Sequence, residues 1–99
     1  MKLEVARAAV IELRIAAKWY ETQREGLADA FLDAVDRTVL AIEMRPRAFP
    51  LWRGSPVARA AAVKRFPYVV IFTIRNAETV RVLAFAHTRR RPGYWKKRR

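Results

Sequence analysis

The fourteen residues AHTRRRPGYWKKRR, Ala86 to Arg99, bring together one histidine, seven cations and two adjacent aromatic rings, with no carboxylate among them. His87 is the only histidine of the chain, and imidazole is the side chain that both gives and takes a proton near neutrality. Arg89, Arg90 and Arg91 follow closely and are cations suited to a phosphate. Trp95 offers a face on which a nucleic-acid base can stack, a contact worth roughly 1–3 kcal/mol in single-strand binders. Three kinds of chemistry are open to this stretch: gripping nucleic acid, attacking it, or meeting an acidic protein. Each residue also has a plainer use. His87 can end a strand with one hydrogen bond, and Pro92 and Gly93 let the tail fold back so that Tyr94 and Trp95 cover apolar sheet.

Other chemistries are poorly supplied. Without cysteine there are no disulfides, thiolate metal sites or cysteine nucleophiles, and a single histidine adds little toward a transition-metal site. The sequence has no glycine loop to cradle phosphates, no H-E-x-x-H and no nucleophilic triad, so no cofactor or metal is expected. The longest apolar run, Phe66 to Ile74, is far shorter than a bilayer-spanning helix requires. Glu4, Arg7, Glu12 and Arg14 interrupt the N-terminal apolar residues, unlike a secretory segment. These features predict a cytoplasmic protein without membrane contact.

The net charge is +12, and it is unevenly placed. Met1 to Glu43 carries six basic and eight acidic residues, a net of −2, whereas Met44 to Arg99 carries fifteen basic and one acidic, a net of +14. A field this lopsided attracts a polyanion or an acidic protein and speeds encounter with either. A small basic nucleic-acid-binding protein without toxicity would satisfy the same composition.

The elements that must position these residues change character at the same point. Ninety-nine residues suffice for one core. Val10, Leu13, Ala17 and Tyr20 form one helical stripe, and Leu27, Phe31, Val35, Thr38 and Ile42 form a second, with Asp29, Asp33, Asp36 and Glu43 on the opposite side as a solvated face. Gly26 lets the chain reverse between them, which predicts a helical hairpin over about 6–44. Trp19 and Tyr20 are expected to pack the first helix on the sheet. Pro46 and Pro50 stop the second helix, and Phe49 and Trp52 in the loop that follows are expected to pack. VARAAAVKRF, YVVIFTIR and TVRVLAFAH alternate as strands over about 57–87, and Lys2 to Val5 adds a possible edge strand. In the last strand Val80, Val82, Ala84 and Ala86 should face one way, and Arg81, Leu83, Phe85 and His87 the other. Residues 88–99 are the basic tail.

This order, with WYETQREGLADAFLDAV at Trp19 to Val35, KRFPYVVIF at Lys64 to Phe72 and VLAFAHTRRRPGYW at Val82 to Trp95, resembles the RelE/ParE superfamily of bacterial toxins. The resemblance implies an α+β fold, with an N-terminal strand and an antiparallel helical hairpin packed on a three- to four-stranded antiparallel sheet. It implies a cognate antitoxin that neutralises the protein, in a hetero-oligomer or beside a homodimer. The target divides the superfamily: RelE-like members cut mRNA on the ribosome, and ParE-like members inhibit DNA gyrase. A metal-independent nuclease needs a base, an acid and cations for the charge on phosphorus. Arg65 matches the position of a phosphate-facing arginine in the nucleases, with Lys64 beside it, and Tyr94 falls where RelE-like members place a tyrosine. His87, Arg65 and Tyr94 are thus the catalytic candidates, and Lys64, Arg81, Arg89, Arg90, Arg91 and Trp95 the target-binding ones. The glutamate base of some family nucleases is missing between Met44 and Ala77, which holds no carboxylate.

Overall fold

A computed structural model describes residues 1–98, so Arg99 of the tail lies outside the described residues. The elements run β1 (Lys2–Val5), α1 (Arg7–Gln23), α2 (Leu27–Met44), a short 3₁₀ turn (Pro46–Ala48), β2 (Ala58–Ala62), β3 (Tyr68–Asn76) and β4 (Thr79–His87). The four strands form one sheet in the order β1-β4-β3-β2. β2, β3 and β4 are antiparallel neighbours, whereas β1 lies parallel to β4, from Lys2 opposite Thr79 to Val5 opposite Val82. The antiparallel meander thus gains a mixed edge.

Gly26 turns the hairpin at φ 85°, a left-handed conformation that costs glycine little. A glycine cap leaves the first amides of α2 without a side-chain acceptor. Glu21, in the last turn of α1, takes that role: its carboxylate accepts from the Gly26 and Ala28 amides at 3.2 and 3.1 Å. One acidic side chain at the end of α1 therefore caps the start of α2 and sets negative charge at its N-terminus.

The helices bury their stripes on one face of the sheet. In α2 the buried residues are Phe31, Val35 and Ile42, close to the expected set. In α1 they are Ala9, Ala16 and Tyr20, while Leu13 and Ala17 lie on the flank of the core. Tyr20 is buried against Phe31 (ring centroids 4.9 Å) and Phe66 (5.1 Å). Trp19 does not join it; its side chain is 55% exposed, because adjacent residues on a helix point about 100° apart and Tyr20 occupies the inward direction.

The second face of the sheet is covered too. Ala58, Ile71, Leu83, Ala84, Ala86 and Trp95 are buried together there, with Trp52 and Tyr94 packed at the margin. Phe49 stays on the helical side, edge-on to Phe72 at 6.0 Å. The strict alternation expected of β4 fails at Leu83. Ile71 pairs with Ala84 and Phe72 with Val82, so Leu83 is an extra residue, a β-bulge. Leu83 and Ala84 therefore share the second face, and Phe85 returns to the helical side with Val80 and Val82.

Candidate functional site

β1 is short, and this shapes the site. It covers β4 only as far as Val82; Ala6 then donates to the Val82 carbonyl at 2.8 Å and the chain leaves the sheet as α1. The edge of β4 from Leu83 onward needs other partners. Glu12 supplies one, accepting the Phe85 N–H on Oε1 at 3.2 Å. The tail closes over the same carboxylate. Arg98 Nη1 donates to Oε1 at 2.7 Å and also to the Leu83 carbonyl at 3.2 Å, Tyr94 Oη donates to Oε2 at 2.5 Å, and Arg90 Nη1 donates to Oε2 at 3.2 Å. The Arg90 guanidinium lies 3.8 Å from the centre of the Tyr94 ring. Burial, and then the bond to Glu12, raise the Tyr94 phenol well above its ordinary 10.0, against the lowering influence of Arg90 and Arg98.

Trp95, next in sequence, points the other way. It is 4% exposed and meets Trp52 edge-on, with ring centroids 4.9 Å apart. Of the two uses open to Trp95, base stacking and covering the sheet, the packing matches the second. The tail makes a left-handed turn at Gly93 (φ 79°), where the Lys96 amide bonds back to the Gly93 carbonyl at 3.0 Å.

His87 ends β4. Its Nδ1 accepts the Arg89 amide at 3.0 Å, and its ring lies edge-on to Tyr68 at 5.1 Å. His87 and Tyr94 border one small hollow together with Arg90 and Arg91. Arg65 is elsewhere. It sits in the turn between β2 and β3 with φ 72°, an uncommon backbone state for a residue with a side chain. With Lys64 it borders a groove of about 720 Å³ along α2, whose apolar wall includes Leu27, Ala34, Phe49 and Phe66 and whose rim carries Arg24 and Arg37. The fold thus brings together two of the three catalytic candidates and sets the third on a different cavity.

A second groove of about 720 Å³ opens on the helix-free face, bordered by Arg53, Arg75, Arg81, Lys96 and Arg98 around Trp52 and Trp95. Arg81 lies here, 3.7 Å from Glu4 and with its side chain 23% exposed. Arg89 and Arg91 are exposed beside the tail turn. Among the described residues, the ion pairs gather on two carboxylates: Arg75 and Arg81 on Glu4, and Arg90 and Arg98 on Glu12.

Glu12 is the residue that sequence reasoning missed. A signal existed: Ala9, Glu12, Ala16 and Tyr20 recur at steps of three and four, which sets a carboxylate on the buried stripe of α1. Placing the stripe one residue later, on Val10, Leu13 and Ala17, hid it.

Among the described residues no helix is long and apolar enough to cross a membrane. No curated protein matches the chain. Among solved structures, one titled as the chromosomal ParDE toxin–antitoxin system of P. aeruginosa superposes with a TM-score of 0.66 at 18% identity, covering 88% of this chain and 95% of that one. That likeness is one of fold. The family model for the ParE toxin of the parDE type II toxin–antitoxin system matches residues 3–92. A match of that extent takes in the hairpin, the bulged sheet and the start of the folded tail, and by it the chain belongs to the ParE toxin family of type II toxin–antitoxin systems.

Proposed function

We propose that the protein arrests bacterial growth by inhibiting DNA gyrase and that it does not cut mRNA. The observation that carries this reading is the engagement of Tyr94. A phenol whose hydrogen bond is already given to the Glu12 carboxylate is not available to a leaving group while Glu12 stays in place. Arg65 borders the groove along α2 and not the hollow shared by His87 and Tyr94, which supports the same reading. The family match supports it as well. A gyrase inhibitor needs only a shaped surface, and the basic groove of the helix-free face, walled by Trp52 and Trp95, is the surface we assign to the target.

The cognate antitoxin of this reading docks elsewhere, in the groove along α2. An apolar wall with Arg24, Arg37, Lys64 and Arg65 at its rim suits an amphipathic segment with acidic side chains, ordered on binding. A supercoiling assay, run beside primer-extension mapping of transcripts after induction, tests the target. Wild type and His87→Ala should both inhibit supercoiling and leave transcripts uncut. Codon-positioned cuts in wild type that vanish in His87→Ala would transfer the assignment to mRNA.

A further inference from the structure

Glu12 is held as a bound ligand is held. Four donors from the last fourteen described residues converge on its two oxygens: the Phe85 amide and Arg98 on Oε1, Tyr94 Oη and Arg90 on Oε2, at 2.5 to 3.2 Å. The carboxylate is only 12% exposed. A backbone amide, a hydroxyl and two guanidiniums aimed at one point form the kind of donor set by which proteins hold phosphate. The occupant comes from the half of the chain with net charge −2, and all four donors from the half with +14. Beside Glu12 lies a hollow of about 130 Å³ bordered by Tyr68, Phe85, His87 and Arg90, which leaves room for an anion larger than a carboxylate.

We infer that the Phe85 amide, Tyr94, Arg90 and Arg98 constitute an oxyanion site for a phosphate group, which Glu12 occupies in cis and thereby keeps closed. This goes beyond the choice of target. It means that a phosphate-bearing ligand engages the full donor set only by displacing Glu12, which is 12% exposed at its centre, while Arg90 stays half exposed at the rim.

The test is rescue by inorganic phosphate. In Glu12→Ala the donors lose their anion, and added phosphate should take its place. Backbone-amide NMR should then show a saturable shift at Phe85, with a midpoint roughly tenfold or more below any seen in wild type, about the worth of one charge-assisted hydrogen bond. The melting temperature should rise with phosphate and level off, while sodium chloride at equal ionic strength does neither. Adding Arg98→Gln to Glu12→Ala should abolish the effect. If Glu12→Ala does not fold in phosphate-free buffer, phosphate should restore a cooperative melt, and Glu12→Gln, which keeps an acceptor for Phe85, gives a folded background for the same titration. Three results would overturn the site: folded variants whose Phe85 amide ignores phosphate, an unfolded variant that phosphate does not restore, or wild type binding phosphate as tightly as the variants. Rescue by chloride would reduce Glu12 to a structural ion pair.

Discussion

Replacing Trp95 by alanine tests whether the tail is a wall of the protein or an appendage to it. The indole is 4% exposed and faces Trp52 and the apolar residues of the helix-free face. A tryptophan buries about 150–250 Å², which at about 25 cal/mol per Å² corresponds to about 4–6 kcal/mol of transfer free energy. Partial collapse of the void brings the expected loss to about 3–5 kcal/mol, the usual range for truncating a buried Phe or Trp. For a domain of this size that lowers Tm by more than about 10 °C. Urea unfolding followed by far-ultraviolet circular dichroism measures it without relying on the deleted fluorophore. Trp19→Ala is the control: its ring is 55% exposed, and its loss should cost less than about 1 kcal/mol. A double-mutant cycle with Trp52→Ala should return a coupling of about 0.5–1.5 kcal/mol for the edge-to-face pair. If Trp95→Ala costs no more than Trp19→Ala, the tail does not close the second core, and the positions assigned to Tyr94 and Arg98 fall with it.

Further outcomes follow from the same geometry. Burial raises the phenols of Tyr20, Tyr68 and Tyr94 alike, so the folded state keeps protons that the unfolded state releases above pH about 10. Stability should hold below that pH and fall as pH rises through it, with tyrosinate absorbance at 295 nm appearing together with unfolding; an absorbance rise in a chain that is still folded would contradict the burial. Glu4→Ala should cost less than about 1 kcal/mol, because its pair with Arg75 is half exposed and screened. Arg65→Gly should leave stability unchanged or raise it by up to about 1 kcal/mol, since the left-handed turn suits glycine, yet it should weaken antitoxin binding in a titration. Gly26→Ala, where added bulk meets nothing but φ is 85°, should cost about 1 kcal/mol in chemical denaturation.

Much of this fold was legible because its signals are local. The helical hairpin over about 6–44 is found as Arg7–Gln23 and Leu27–Met44, with Gly26 at the turn, since periodicity and a glycine between stripes report on neighbouring residues alone. Lys2 to Val5 was legible as a strand, but its direction was not: nothing within four residues says whether their partner runs parallel. The bulge at Leu83 escaped for a similar reason, being a property of two paired strands. Trp19 and Tyr20 show the limit within a helix, where composition says that both rings are apolar and only the packing decides which turns inward. At the site, His87 and Tyr94 border one hollow, because both lie near the end of β4. The carboxylate at its centre is more than seventy residues away in sequence, and a chain reading that weighs each segment separately has no means of joining them.

The parallel pairing of β1 with β4, and the grip of Phe85, Tyr94, Arg90 and Arg98 on Glu12, tie residues 2–12 to residues 79–98. While a ribosome is still adding residues 79–98, β1 has no strand to lie beside and Glu12 meets none of its donors. The hairpin can coil at once, but the toxic architecture has to wait. At bacterial elongation speeds of about 5–20 residues per second, Glu12 waits roughly 4–17 s between its own synthesis and that of Arg98. An antitoxin present during that interval would meet a chain whose sheet and tail are still incomplete.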